Sequence, residues 1–102
     1  MVENTEGTLP RIEALRTAAS IISGERDAQY GSPDENFGRI SKIWSMILGI
    51  DISKEDVAMC MIGLKVARYS NPGSGFHPDT WYDIAGYAGC GYEVGLKENT
   101  AE

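Results

Sequence analysis

Two helix-start signatures constrain this chain more than anything else in it. In Ser32-Pro33-Asp34-Glu35 and again in Ser53-Lys54-Glu55-Asp56, a serine precedes a helix by one position and a carboxylate follows three residues later. The serine oxygen can accept the N–H of that third residue while the carboxylate accepts the serine N–H, so two donors that no helical turn can satisfy are satisfied reciprocally. Pro33 strengthens the first box, because proline in the first helical position loses no hydrogen bond. Each box also has a stop downstream. Gly49 can adopt the left-handed conformation that ends a helix, and Ser70-Asn71-Pro72-Gly73-Ser74-Gly75-Phe76 is dense in turn formers. This punctuation predicts helices over 33–48 and 54–69.

The flanking segments read the same way. Leu9, Ile12, Leu15, Ala19 and Ile22 repeat at helical spacing before Gly24, predicting a helix over 9–23. Pro78 opens a last helix over 78–92, entered through His77, the single histidine. Phe37, Ile40, Trp44 and Ile47 form a core stripe on the second helix. The third is apolar nearly all round through Val57-Ala58-Met59-Cys60-Met61-Ile62-Gly63-Leu64, which predicts a central helix covered by the others or by another subunit. On the fourth, Trp81, Ile84, Ala85, Ala88 and Tyr92 share one stripe and read as its core seam. Asp79, Asp83, Gly86, Tyr87 and Cys90 share another. Glycines at 86, 89, 91 and 95 each weaken a helix by roughly 1 kcal/mol relative to alanine, so that helix must gain from close packing. The expected fold is all-α: an antiparallel four-helix bundle in a single domain, 1–102, with frayed tails at 1–7 and about 96–102. With so small a core, assembly as a homodimer or larger is expected.

Charge and cysteine usage narrow the function classes. A net charge of −6 argues against affinity for a nucleic-acid polymer, whose recognition needs a basic surface to release counterions. A small anionic ligand needs only a few converging cations. Cys60 and Cys90 lack metal-ligand spacing and read as buried free thiols of a reducing compartment. The start of the chain lacks a basic segment followed by an apolar one, and the apolar run 57–64 is far too short to span a bilayer. A cytoplasmic protein without membrane contact is expected.

The acidic stripe of the last helix is where chemistry is sought. Asp79 and Asp83, one turn apart, could share a Mg²⁺ ion with water and phosphate oxygens, and Asp56 could add a ligand from the neighbouring helix. The same carboxylates are equally suited to helix N-termini, where the dipole favours them. Lys65 and Arg68 lie on adjacent parts of one face. They either complement the end of their helix or face the carboxylate stripe and a phosphate. The connector after Gly24, with Arg26, Asp27 and Tyr30, reads as an exposed loop of the kind that carries binding residues.

Read in order, Arg26-Asp27-Ala28-Gln29-Tyr30-Gly31-Ser32-Pro33, Asn36-Phe37, Trp44, Glu55-Asp56-Val57-Ala58, Lys65-Val66-Ala67-Arg68 and Asp83-Ile84-Ala85-Gly86-Tyr87-Ala88 resemble a family of small uncharacterised phage and prophage proteins. That family is in turn loosely similar to the all-α, MazG-like nucleoside triphosphate pyrophosphatases. The resemblance implies a helical homo-oligomer, a nucleotide-related role, Mg²⁺ held by acidic residues, and cleavage between the α- and β-phosphates. It places the last metal-ligand position on Asp83, with Asp79 one turn earlier; these two are the catalytic candidates, and Asp56 is the further metal ligand that spacing offers. Lys65, Arg68 and Arg26 would neutralise phosphate, Tyr30 or Trp81 would stack on the base, and Tyr87 would line the site. One departure is plain: the ExxE motif of those enzymes has its counterpart here only in Glu3 to Glu6. Three readings stay open: a Mg²⁺-dependent pyrophosphohydrolase, a phage sponge that captures a nucleotide immune signal intact, and a helical interaction protein in which Asp79, Asp83, Lys65 and Arg68 form only an ion-pair network.

Overall fold

A computed structural model describes residues 9–24, 29 and 31–100. Among the described residues there are four helices and no strand: α1 Pro10–Ile22, α2 Pro33–Leu48, α3 Lys54–Tyr69 and α4 Pro78–Thr100. Both capping boxes form. Ser32 Oγ accepts the Glu35 N–H at 3.2 Å and Glu35 Oε1 accepts the Ser32 N–H at 3.1 Å; at Ser53 and Asp56 the two distances are 2.9 and 3.0 Å. Gly49 ends α2 at φ 72°, its N–H bonded to Ser45 O at 2.8 Å.

The last two helices form an antiparallel hairpin whose register four contacts define. From one end to the other, Lys54 meets Glu98, Ala58 faces Gly91, Lys65 pairs with Asp83, and Tyr69 lies edge-on to Trp81. A Cβ on Gly91 would stand 2.9 Å from the Ala58 Cβ, so the glycine sets how closely the helices approach. The N-terminal half of α2 crosses this hairpin. Phe37 inserts against Val57, Ala58 and Val94 to make the core, with Ile40, Trp44 and Tyr87 packed on it. α1 packs on α4, where Ile22 sits over Gly86 and Gly89.

Four expectations are corrected, each for a packing reason. The last helix does not stop at 92 but runs to Thr100, because Glu98 reaches back to the start of α3 and accepts the Lys54 N–H at 2.9 Å. Its two stripes do not separate into core and site. Gly86 is buried with Asp83, Tyr87 and Cys90 half-buried, but Ile84 and Ala85 of the expected core seam are half-buried too, while Asp79, Trp81, Ala88 and Tyr92 face outward. α3 is not enclosed: its neighbours α4 and α2 cover Val57 and Ala58, leaving Met59, Leu64 and Cys60 exposed. Ile47 also lies outside the core, 71% exposed. The 49–53 linker folds back along α2, with the Ile52 N–H on Ser45 Oγ at 2.8 Å and Lys54 beside Gly38. α3 therefore begins level with the middle of α2 and leaves its last turn overhanging.

Candidate functional site

Where α1, the start of α2 and the first half of α4 converge, they line a partly open cavity of about 100 Å³. Sequence pattern explains each wall. Pro33, Asn36, Phe37 and Ile40 fall on one side of α2 at helical spacing, and Tyr82, Asp83, Gly86, Tyr87 and Cys90 do so on α4. Ile21 and Ile22 close the α1 side and Met61 reaches in from α3. Gly86 has no side chain to fill the space, and a Cβ there would collide with Ile22 Cγ2 at 2.9 Å.

The floor is apolar and the walls are not. Asn36, Tyr82 and Tyr87 all line the cavity, and none of their side chains hydrogen-bonds to a described residue. The Tyr87 ring packs with its centroid 6.4 Å from that of Phe37, tilted by 34°. Asp83 is ionically paired to Lys65, Nζ to Oδ2 2.9 Å, and the lysine side chain is only 18% exposed. A cation so placed needs its counter-charge, so the pair holds the Asp83 carboxylate at the cavity wall. An apolar floor with a few convergent polar groups is the usual composition of a small-molecule site.

The expected site residues divide. Asp83 and Tyr87 lie in the cavity wall, and Lys65 is tied to it through Asp83. Asp79 is exposed in the first turn of α4, and Arg68 is exposed at the end of α3. Trp81 is half exposed and pairs with Tyr69, ring centroids 6.0 Å apart, at the hairpin end instead of in the cavity. Asp56 spends its carboxylate on the Ser53 N–H. It stands nine residues before Lys65 on α3, about 13 Å along the axis, beyond the reach of an ion at Asp83. Arg26 and Tyr30 lie outside the described residues. Among those that are described, no three His, Cys, Asp or Glu side chains come together as a metal-binding group.

Asn36 and Tyr82 are the polar cavity residues that sequence reasoning passed over, and for Asn36 a signal existed. It is the one polar side chain in the Pro33, Asn36, Phe37, Ile40 row, and an amide in an apolar stripe needs a partner.

Residues 13–95 match the family described as a domain of unknown function, DUF6378. The chain belongs to the DUF6378 family. It is 44% identical over 86 residues to the Gene 55 protein of Mycobacterium phage L5, covering 83% of this chain and 54% of that protein. It is 47% identical over 76 residues to the Gene 55 protein of Mycobacterium phage D29, covering 74% and 49%. This DUF6378 chain thus spans about half the length of the curated relatives it matches. No solved structure matches it. The phage part of the expected resemblance is therefore shown. In the described part of the chain, no helix is long and apolar enough to cross a membrane.

Proposed function

We propose that this DUF6378 chain binds a phosphorylated nucleotide and that capture, not hydrolysis, is its role. The observation that supports this most is the cavity lined by Asn36, Tyr82 and Tyr87, whose side chains bond to no described residue, beside Asp83. The cavity is open on one side, so a planar ring would be only partly inserted, its edge read by the amide and carboxylate while the phosphates stay outside. Arg68, and Arg26 from the connector, are the cations assigned to those phosphates. Phage relatives make sequestration of a host nucleotide signal a natural purpose. The MazG-like fold is part of the same reading.

Capture is preferred because the donor set fits Mg²⁺ poorly. Asp83 is neutralised by Lys65, Asp56 caps α3, and Asp79 alone remains as an exposed carboxylate on that stripe. A hard divalent cation on protein groups alone would need more oxygens than these offer. The test is a thermal-shift screen of nucleotides and nucleosides with and without Mg²⁺, followed by chromatography of whatever is recovered from the heated complex. The expected result is a raised melting temperature, intact ligand, and at least tenfold weaker binding for Asn36→Ala. Release of monophosphate and pyrophosphate that Asp83→Ala abolishes would establish the hydrolase reading instead. No shift with any compound would sink ligand binding altogether.

A further inference from the structure

The α3–α4 hairpin is covered by α2 on one side only, and its other side is apolar. Helical periodicity sets Met59 and Val66 opposite Val57 on α3, and Trp81, Ala85, Ala88 and Tyr92 opposite Val94 on α4. Val57 and Val94 meet in one core beneath Phe37 of α2, so the two rows lie together on the uncovered face. Met59 is 64% exposed, Val66 47%, Trp81 50% and Tyr92 72%. The only charged residues in 59–66 and 81–92 are Lys65 and Asp83, which neutralise one another. On a chain of net charge −6, this is a face that two copies can bring together without like-charge repulsion.

The order of side chains on both helices is palindromic. On α4, Trp81, Ala85, Ala88 and Tyr92 follow at intervals of four, three and four residues, large at the ends and small at the centre. On α3, Met59 and Val66 flank a centre where Ile62 is half-buried. The hairpin register, with Ala58 on Gly91 and Lys65 on Asp83, sets these two centres level with one another. We infer that two copies of this chain dock face to face through this surface about a twofold axis that passes over both centres, each α4 antiparallel to the other. Ala85 then meets the partner's Ala88, Trp81 meets the partner's Tyr92, and Met59 meets the partner's Val66. Packed helices are closest where they cross and diverge on either side, so small residues belong at the centre and large ones at the ends. Met59, Val66, Trp81 and Tyr92 expose roughly 470 Å² at about 200 Å² for a free side chain, and Ile62, Ile84, Ala85 and Ala88 between them add on the order of 100 Å². A twofold contact buries this surface twice, on the order of 1,100 Å², above the threshold of about 1,000 Å² for a specific interface. This inference does not rest on the nucleotide reading.

Sedimentation equilibrium of the full chain tests it. The expected species is a dimer of twice 11.1 kDa. Ala88→Glu sets two carboxylates beside the axis and should raise the dissociation constant roughly a hundredfold or more. Tyr92→Lys should raise it roughly tenfold. Both side chains are exposed, so the helical circular dichroism of either variant should stay unchanged. Trp81→Ala and Tyr92→Ala should each weaken the dimer, and the double variant should weaken it by less than the product of the two, because each removes the same contact. A wild-type monomer at about 100 micromolar would overturn the inference. So would a dimer indifferent to Ala88→Glu, a dimer that Ile47→Glu at the end of α2 splits instead, or aromatic variants whose effects simply multiply.

Discussion

Glycines in this chain are not interchangeable, and two of them on neighbouring helices give opposite predictions. A Cβ on Gly91 would press on Ala58 Cβ at 2.9 Å, a rigid atom, so α3 and α4 would have to part. Overpacking of this kind costs about 1–3 kcal/mol, only partly offset by the better helix propensity of alanine. Gly63 has nothing within 4 Å of the same position, so Gly63→Ala should stabilise by about 0.5–1 kcal/mol. Urea unfolding of the two variants should move in opposite directions. Asp34 supplies a pH-dependent prediction. A hydrogen bond from Lys54 at 2.7 Å, opposed by desolvation and reinforced by the charges of Lys54 and Lys97, holds its carboxyl below the usual carboxylate range. Because the folded group is the stronger acid, its contribution is present above the unfolded carboxylate range and is lost as pH falls through the folded value. Stability of Asp34→Asn should therefore fall less steeply than wild type on acidification below about pH 5, read by urea titrations at successive pH values. At this scale the sequence was informative about local roles: Ser32, Glu35, Ser53 and Asp56 cap as their spacing implies. It was uninformative about which carboxylate meets which cation, because the Lys65 to Asp83 pair depends on the register of two helices that no local pattern encodes.

Among the helices, α4 shows where periodicity misleads. Two stripes were visible, and the one with the larger apolar side chains looked like the core. The structure half-buries members of both and fully buries only Gly86 of them, where α1 comes close, as α3 does at Gly91. A cavity remains beside Tyr87, because Gly86 has no side chain to fill it. Core and candidate site are thus one face of α4, which the sequence presents as two alternatives. The end of the same helix was also misread, because an acidic stretch resembles a solvated tail until the element it serves is known. Glu98 accepts the Lys54 N–H at 2.9 Å and reaches the Glu55 N–H at 3.4 Å, supplementing the box that Ser53 and Asp56 form. Glu98→Ala should cost about 1 kcal/mol, comparable to the loss of a helix cap, whereas Glu98→Gln keeps an acceptor and should cost about half as much. Removal of residues 93–102 should destabilise far more, since Val94 is a fully buried member of the core. Chemical denaturation should rank the losses as Glu98→Gln, then Glu98→Ala, then the truncation, and equal stability of all three would show that the extension is idle.

For the molecule as a whole, cohesion is uneven. The α3–α4 hairpin and the crossing half of α2 share the cluster around Phe37, Val57, Ala58 and Val94. α1 has none of these residues; it contributes Ala18 as its one buried side chain and leans on α4 through Ile22. Leu9 and Leu15, members of its apolar repeat, are about half exposed. A helix so sparsely anchored opens locally at lower free-energy cost than the global unfolding reaction. Amides of α1 should therefore exchange with deuterium well before those of α3 and α4. The candidate cavity turns this into a functional prediction, because Ile21 and Ile22 form one wall and Tyr82, Gly86 and Tyr87 the opposite one. A ligand seated between them binds only when α1 is docked, so it must raise the protection of α1 by the free energy of its own binding, about 2.7 kcal/mol at a hundred times its dissociation constant. Hydrogen exchange read by mass spectrometry, with and without the best compound from the nucleotide screen, should show slowing concentrated in 10–22 and the first turns of α2 and α4. Slowing confined to the exposed face of α3 would place the ligand elsewhere. Linkage of this kind gives the loosest helix a purpose: docking of α1 completes the wall, and the ligand that completes the wall fixes α1.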